Sequence, residues 1–378
     1  MVIANVKIVT LNKVIENGYI EFNNGVITNI GEGQYLGNDE VVDGNGKIAM
    51  PGFVDIHTHG SCGIDFMDAV EDDYEAIANA FYEEGITSFL ATTLTSDLES
   101  MKRVCQTVNN VKNDIPSLVG VHLEGPYINK LYKGAQNEAY IRDPNVEELK
   151  ELIKVSGNNV RLITMAPEVN GSEEFISYAT KNNVTISVGH SNATFDDVEK
   201  AIKCGLTNVT HTHNAMSKHD HRNPGIVTAS FYFDELYTEC ICDGIHVCPN
   251  TLKTFYKIVG PDRFMIVTDA LLGKHSKVEK FQLFNLDCTY RNGAFYLVEA
   301  GNLAGSALYM NQGLKNVRNY CGASLVDLAK VSSYNQSKSL HLNDRGLLEV
   351  GKLADIVLLD EELNVKNVYK LGSLVYSA

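Results

Sequence analysis

Eight short apolar runs alternate with amphipathic stretches through the middle of the chain, and this alternation constrains the fold more than any other feature. The runs are rich in strand-forming residues, whereas stretches such as 72–84 and 97–111 repeat their apolar residues with a helical period. Strands that alternate with helices of this length pair in parallel, and eight such units close into a (β/α)₈ TIM-like barrel. The predicted strands are 53–56, 88–92, 118–123, 161–165, 185–188, 208–210, 237–242 and 264–268.

A doubly wound open sheet is the alternative to a barrel, and the positions of the polar residues distinguish the two folds. A barrel enzyme gathers its chemistry at the carboxyl ends of many strands, whereas an open sheet gathers it at one crevice. Here polar candidates follow at least five of the predicted strands. The sequence therefore predicts an α/β barrel with a site at its mouth.

Both ends of the chain differ from the middle. Residues 1–50 read as short strands broken by turns such as Asn23-Asn24-Gly25, and further strands follow Gly351. We therefore predict a β-sandwich domain built from 1–50 plus 346–378 and a barrel domain over 51–345. An extra hairpin that turns at Asn292-Gly293 is expected after the eighth barrel strand.

Charge and composition restrict the partners. The formal net charge of −15 disfavours nucleic acid, because no basic run offers a local exception to the repulsion of phosphates. No apolar run approaches the roughly 18 residues that cross a bilayer. The first residues alternate like a strand and lack a secretion signal, which predicts a cytoplasmic location. The 8 cysteines lack a repeated C-x-x-C spacing and are predicted to be reduced.

Two histidines follow the first predicted strand with one residue between them, His57 and His59. In extended backbone both imidazoles project to the same side, so both can reach one cation. Because the carboxyl ends of barrel strands converge, a shared metal site is predicted there. The other candidate residues, at the ends of the third, fifth, sixth and eighth strands, are Glu124, His190, His211 and Asp269.

Seven segments in order along nearly the whole chain carry recognisable motifs. They are Pro51-Gly52-Phe53-Val54-Asp55-Ile56-His57-Thr58-His59-Gly60, His122-Leu123-Glu124-Gly125-Pro126, Lys133-Gly134-Ala135, Gly189-His190-Ser191, Asn214-Ala215-Met216, Asp243-Gly244-Ile245-His246-Val247 and Thr268-Asp269-Ala270. Together they resemble the amidohydrolase superfamily, and within it the deacetylases of phosphorylated N-acetyl amino sugars. The His-x-His start is shared across the superfamily, whereas His-Leu-Glu-Gly-Pro and Asn-Ala-Met are specific to the deacetylases.

The resemblance implies a ligand set for a divalent cation. Glu124, His190 and His211 would hold the principal ion. Members of the family differ in the first motif, and this chain keeps His57 and His59. A binuclear site with Glu124 as the bridging ligand is therefore implied. Histidine and carboxylate ligands suit Zn, Fe, Mn or Co, with one or two ions per subunit.

The implied reaction is hydrolysis of N-acetyl-D-glucosamine 6-phosphate to D-glucosamine 6-phosphate and acetate. A divalent cation lowers the pKa of bound water to about 7, so that hydroxide can attack the acetamide carbonyl at neutral pH. Asp269 would act as general base and then as general acid. The alternatives for Asp269 are a structural carboxylate or one more metal ligand. N-acetylgalactosamine 6-phosphate stays open as the epimeric substrate.

The resemblance also implies how the phosphate would be held. The backbone N–H groups of Asn214 and Ala215, the imidazole of His246 and the guanidinium of Arg222 would bind it. The planar fork of an arginine matches phosphate oxygens. In the family this arginine comes from a neighbouring subunit, so a homodimer is implied. A solvated loop charge is the alternative for Arg222.

Gln136 departs from the family pattern, because family members carry a substrate-contacting histidine at this position. A glutamine can donate a hydrogen bond to a carbonyl or a sugar hydroxyl, but it cannot carry a proton. Gln136 is therefore predicted to contact the substrate.

Two other functional classes remain. A non-catalytic scaffold related to amidohydrolases would lack metal ligands, and none is missing from this sequence. A dihydroorotase-like or amino-acid deacylase activity would not need Arg222 and His246. His122 is predicted either to support Glu124 or to fill the barrel. The histidines left out of the predicted site are His213, His219, His221, His275 and His341.

Overall fold

The computed structural model describes residues 1–283 and 286–378. Within these residues, eight parallel strands form one sheet in which strands that follow each other along the chain are also neighbours. A doubly wound sheet would reverse its strand order at a switch point, so the predicted (β/α)₈ barrel is confirmed. The strands are Phe53–Asp55, Ile86–Thr93, Leu118–Glu124, Val160–Met165, Thr185–Val188, Asn208–Val209, Tyr237–Ile241 and Phe264–Val267.

The barrel closes just beyond the carboxyl ends of its first and eighth strands. The backbone N–H of Asp269 donates to the carbonyl of His57, and that of His59 donates to the carbonyl of Ala270, both at 2.8 Å. Thr58 and Ala270 also form a parallel bridge. The closure therefore places the His-x-His segment directly beside Asp269.

Helices cover the outside of the barrel where the sequence predicted them. The ends predicted at Gly85, Asn183 and Gly205 adopt φ of +88°, +58° and +114°, the left-handed conformation that terminates helices. The helices are Asp73–Glu83, Leu98–Val111, Val146–Val155, Ser172–Lys181, Phe195–Cys204, Ile226–Tyr232, Pro249–Val259, Met310–Cys321, Leu325–Ala329 and Asn335–Ser339, the last two joined by the π-helical Lys330–Tyr334. Short 3₁₀ turns lie at Lys130–Tyr132 and Glu138–Tyr140. Among these helices, none is both long and apolar enough for a bilayer crossing.

Apolar side chains fill the barrel below its mouth. Leu90, Leu162 and Met265 are fully buried and belong to one cluster, whereas their neighbours Phe89 and Ile163 pack in the larger cluster that also contains the helices. This alternation is what a barrel strand requires, since successive side chains face the interior and the helices in turn. The interior is therefore a packed core, and polar chemistry is confined to the strand ends.

Strands from both termini form a separate mixed sheet. Its central contact is antiparallel, between Ile48–Pro51 and Ile356–Leu359, and it has its own cluster of buried residues, including Ile3 and Ile20. The predicted domain bounds of 1–50 plus 346–378 and 51–345 stay a prediction. The strands of this sheet are Val2–Val9, Val14–Asn23, Val26–Glu32, Val41–Asp43, Ile48–Pro51, Ile356–Leu359, Val365–Lys370 and Ser373–Ser377.

A four-stranded antiparallel sheet follows the eighth barrel strand. Arg291 pairs with Ala294 across the predicted hairpin turn, in which Asn292 and Gly293 both have positive φ, of 51° and 93°. Such a turn matches the twist of a hairpin. The strands are Lys280–Leu283, Leu286–Arg291, Ala294–Leu297 and Leu303–Ser306, and a small hairpin joins Gly60–Ser61 to Ile64–Asp65.

A buried ion pair anchors the segment that follows Asp269. Lys274 Nζ lies 2.7 Å from Glu84 Oε1, and both side chains are fully buried. The second oxygen of Glu84 accepts from the backbone N–H of Met310 at 2.6 Å, at the start of a helix. The Lys274 ammonium also lies 4.8 Å from the ring centroid of Phe81. The Lys274–Glu84 pair thus connects the segment after Asp269, the end of the helix Asp73–Glu83 and the start of the helix Met310–Cys321.

We expect Lys274→Met to lower the free energy of unfolding by about 3–5 kcal/mol, because it leaves the Glu84 carboxylate buried without its cation. Adding Glu84→Gln should recover much of this loss, since no uncompensated charge remains. Urea denaturation of the two variants measures both effects, with the exposed Lys277→Met as control. A single variant as stable as the wild type would contradict the expectation.

Candidate metal centre and active site

Side chains from five strand ends meet at the mouth of the barrel in two groups. Within each group the candidate ligand atoms all lie within 4.8 Å of one another. The groups are His57, His59 and Asp269, and Glu124, His190 and His211. All six side chains are buried. The structure therefore brings together every residue that the sequence predicted as a metal ligand, and Asp269 with them.

The carboxylate of Glu124 joins the two groups. Its Oε1 lies 3.1 Å from His190 Nε2, 3.2 Å from His211 Nε2 and 3.2 Å from His57 Nε2. Its Oε2 lies 3.2 Å from His59 Nε2. Four ring nitrogens of two different groups thus face one side chain, as the implied bridging position requires.

These distances fit a divalent cation better than they fit hydrogen bonds alone. The Nε2 atoms of His190 and His211 are 3.1 Å apart, and both face the same oxygen of Glu124. Bonds of about 2.0–2.2 Å to one ion place neighbouring ligand atoms roughly 3.0–3.5 Å apart. Nitrogen and carboxylate donors at this spacing are a suitable ligand set for a divalent metal.

The charges of the site favour a cation for the same reason. Burial alone would lower the pKa of His57 and His59, but the carboxylates of Glu124 and Asp269 raise the first well above its usual value and the second to about 9. Burial alone would raise the pKa of Glu124, but the surrounding histidines hold it well below its usual range. Positive charge is therefore stabilised here, and metal ions can take the place of these protons.

Three of the side chains owe their direction to the backbone after each strand. His190, His211 and Asp269 have φ of +48°, +25° and +48°. Non-glycine residues adopt such angles uncommonly, in turns, at helix ends and at functional sites. Each of the three residues lies two positions after the end of a short strand, where this backbone turn directs its side chain into the site.

Two carboxylates that the sequence did not single out support the site from below. Glu239 is fully buried; its Oε2 lies 3.0 Å from His57 Nδ1 and accepts from the backbone N–H of His211 at 3.1 Å. Asp55 accepts from the backbone N–H of His57 at 3.3 Å and from the hydroxyl of Thr268. In the sequence, Glu239 could have been noticed as a charged residue within the otherwise largely apolar strand 237–242.

Gln136 lies at the site, but its amide is engaged. Its Nε2 donates to Glu124 Oε2 at 2.6 Å, and its Oε1 accepts from the backbone N–H of Thr95 at 2.7 Å. The side chain is almost fully buried. Gln136 lines the cavity, and its side-chain hydrogen bonds are made to Glu124 and Thr95; its contact with the substrate stays a prediction.

His122 fills the barrel rather than contacting a ligand through a hydrogen bond. Its Nε2 lies 2.8 Å from the hydroxyl of Thr164, and its Nδ1 lies 3.3 Å from that of Thr92. Its ring packs edge-on against His57 with centroids 4.7 Å apart. Of the two predicted roles, the contacts favour barrel filling.

A cavity of about 320 Å³ opens over the two groups of ligands. Asn214, Ala215 and His246 line it, together with Gln136 and Asp269. The backbone N–H of Asn214, which the sequence analysis assigned to phosphate, donates instead to the carbonyl of His211 at 3.0 Å. The volume suits a small ligand, and so does the lining, which is mainly apolar with a few polar groups.

Arg222 lies outside this cavity in its own chain. It is exposed in the loop 218–223, and its backbone N–H donates to Asp220 Oδ1 at 2.8 Å. His246, by contrast, is oriented by Asp243, whose Oδ2 lies 2.6 Å from His246 Nδ1. The structure therefore places His246 at the cavity and Arg222 outside it.

Comparisons with known proteins identify the family of the chain. A profile of the amidohydrolase family matches residues 48–375. The N-acetylglucosamine-6-phosphate deacetylase of Bacillus subtilis (strain 168) is 33% identical over 385 residues, covering 100% of this chain and 97% of that protein.

Solved structures of enzymes with the same name share the fold over the full length. The one from Thermotoga maritima has a TM-score of 0.92 and 36% identity, with 100% of both chains covered. A mutant from Mycobacterium smegmatis in complex with N-acetyl-D-glucosamine-6-phosphate has a TM-score of 0.94 and 28% identity, covering 100% of this chain and 99% of that one. The chain belongs to the amidohydrolase family and, within it, to the N-acetylglucosamine-6-phosphate deacetylases.

Proposed function

We propose that this protein hydrolyses N-acetyl-D-glucosamine 6-phosphate to D-glucosamine 6-phosphate and acetate, a step of amino sugar breakdown. The observation that carries this function is the Glu124 carboxylate, which four imidazoles share at the floor of the cavity. The family relationship supplies the substrate class. Acetate release from the phosphorylated sugar by metal-loaded protein tests it, and absence of release from any N-acetylhexosamine phosphate would refute it.

The divalent cation would be held by the residues of the two groups. Glu124, His190 and His211 are proposed for the principal ion, and His57 with His59 for a second ion that shares Glu124. When bound, a divalent cation makes water acidic enough to react at neutral pH and polarises the acetamide carbonyl. Zn, Fe, Mn and Co all suit these ligands, and we propose one or two ions per chain.

Asp269 is proposed to move the proton. Its Oδ1 lies 3.3 Å from His59 Nε2, and its side chain lines the cavity. It would take a proton from the attacking water and deliver it to the amine nitrogen as the C–N bond breaks. The products are then the free amine and acetic acid, which ionises to acetate by releasing the second proton of the water, and Asp269 returns to its charged form.

The phosphate is proposed to bind at the side of the cavity formed by Asn214, Ala215 and His246. Arg222 is proposed to reach this phosphate from the second subunit of a homodimer, which its exposed position in its own chain allows. Gln136 is retained as a proposed substrate contact, secondary to its bond with Glu124. A cytoplasmic location stays a prediction.

We expect Arg222→Ala to raise KM for the phosphorylated sugar by about 10–100-fold, the loss of a charge-assisted hydrogen bond of about 1.5–3 kcal/mol. Steady-state acetate release measures it. Activity on unphosphorylated N-acetylglucosamine should not change, and Arg103→Ala on an outer helix serves as control. Equal KM values for Arg222→Ala and wild type would remove Arg222 from the phosphate site.

The epimeric substrate, N-acetylgalactosamine 6-phosphate, is the second candidate, and it is not favoured, because the relatives described above carry the glucosamine name. The ratio of kcat/KM on the two epimers decides between them. A non-catalytic scaffold is disfavoured because every predicted ligand is present and gathered at one site. Equal activity on the phosphorylated and unphosphorylated sugars would favour a more distant amidohydrolase activity.

A further inference from the structure

Glu239 is a buried carboxylate that no step of the proposed reaction uses. It lies in the seventh barrel strand, Tyr237–Ile241, and its side chain is fully buried. One oxygen, Oε2, makes both of its side-chain contacts, to His57 Nδ1 at 3.0 Å and to the backbone N–H of His211 at 3.1 Å. Among the described residues, the other oxygen has no hydrogen-bond partner. A buried charge with so few partners needs a reason.

The contact with His57 determines which ring nitrogen faces the site. A neutral imidazole has one N–H and one lone pair, and a carboxylate can only accept. When His57 is neutral, its proton therefore lies on Nδ1, toward Glu239, and the lone pair of Nε2 points into the site. There Nε2 meets Glu124 Oε1 at 3.2 Å and Asp269 Oδ1 at 3.5 Å. In the metal-free protein a proton on Nε2 can offset the repulsion between this lone pair and the two carboxylates, and a bound metal ion would take its place.

The other imidazoles of the site are held less strongly at Nδ1. His190 Nδ1 donates to the neutral carbonyl of Tyr132 at 2.8 Å. Among the described residues, His59 Nδ1 and His211 Nδ1 have no hydrogen-bond partner. Only in His57, of these four, does a carboxylate hold the ring. A carboxylate partner fixes the orientation of a histidine ligand and increases its basicity.

We propose that Glu239 is a positioning residue that enables His57 and His59, together with Glu124, to hold a second cation. Glu239 acts through His57 and touches no reacting atom. This role rests on the proposed function, because it concerns the same metal centre. Glu239 would strengthen the binding of the second ion without being a ligand itself. Glu239 contacts the group of Glu124, His190 and His211 directly through the backbone N–H of His211.

The test is a titration of the full-length, metal-free protein with Co²⁺ alone, in competition with a chromophoric chelator. Wild type should bind two ions. Glu239→Leu should bind the first ion normally and the second about 100-fold more weakly, and Glu239→Gln about 10-fold more weakly, within the range for such supporting partners. Glutamine keeps an oxygen that can accept from His57 Nδ1 and from the backbone N–H of His211. The exchange therefore removes the charge of Glu239 without disrupting the fold.

The matched control is Glu148→Gln, the same exchange at a carboxylate that pairs with Arg142 and Tyr127 outside the centre. It should bind both ions like the wild type. Three results would each overturn the inference: wild type that binds one ion, Glu239 variants with unchanged affinity for both ions, or equal weakening of both ions. Acetate release by wild type is measured on the same samples, so failure of the proposed function is recognised separately.

Discussion

Replacing Asp269 by Asn is expected to lower kcat for acetate release by about 10²–10⁴-fold, the range for loss of a general acid–base group. Asparagine keeps the shape of the side chain and one oxygen, but it cannot take a proton from water or give one to the amine. Metal content should stay at the wild-type level. Acetate release and elemental analysis of the same preparations measure both quantities.

The two readouts separate the possible roles of Asp269. Its Oδ1 lies close enough to His57 and His59, at 3.5 and 3.3 Å, for a share in holding a cation. Joint loss of metal and turnover would assign it to the ligand set. Unchanged turnover would leave it a structural carboxylate. Asp65→Asn, in the neighbouring hairpin, is the matched control and should keep kcat near the wild-type level.

The metal centre could be predicted from the sequence because its residues follow a rule that depends only on strand order. Parallel barrel strands all end at the same mouth, so His57, Glu124 and Asp269 had to meet once the strands were identified. The spacing of His57 and His59 added a local signal. No detail of packing was needed for this prediction.

The residues that hold the metal ligands in place, Glu239 and Gln136, could not be predicted in the same way. Their roles depend on which side chains point into the barrel interior and on the path of the loops. Glu239 lies in a predicted strand, but nothing in the run of residues shows that its carboxylate reaches His57 across the barrel. Gln136 lies in an irregular segment, and its bond to Glu124 depends on the path of that loop. Such contacts are set by tertiary packing, which periodicity does not encode.

The path of the terminal strands was predictable only in outline. Turn sequences marked short strands at both ends, yet the antiparallel pairing of Ile48–Pro51 with Ile356–Leu359 joins segments about three hundred residues apart. Strand pairing at this separation is chosen by the burial of both faces, not by local turn chemistry. The same holds for Lys274 and Glu84, whose pairing requires the folded barrel.

Glu124→Gln is expected to abolish tight metal binding and, with it, deacetylation. Both oxygens of Glu124 face imidazole nitrogens at 3.1 to 3.2 Å. Glutamine removes the negative charge and replaces one oxygen by an amide nitrogen, which cannot act as a ligand. Affinity should fall by more than the 10–100-fold seen for residues that merely support a ligand. Equilibrium dialysis followed by elemental analysis measures the loss.

Thermal unfolding gives an independent check on Glu124→Gln. A cation at 100 times its Kd stabilises the folded state by about 2.7 kcal/mol, so a chelator should lower the Tm of the wild type. The Tm of Glu124→Gln should not respond to chelator, whereas that of Glu148→Gln should respond like the wild type. A variant that keeps its metal and its chelator response would show that Glu124 is not the residue joining the two groups. The histidines would then have to hold cations without a shared carboxylate, which the distances around Glu124 argue against.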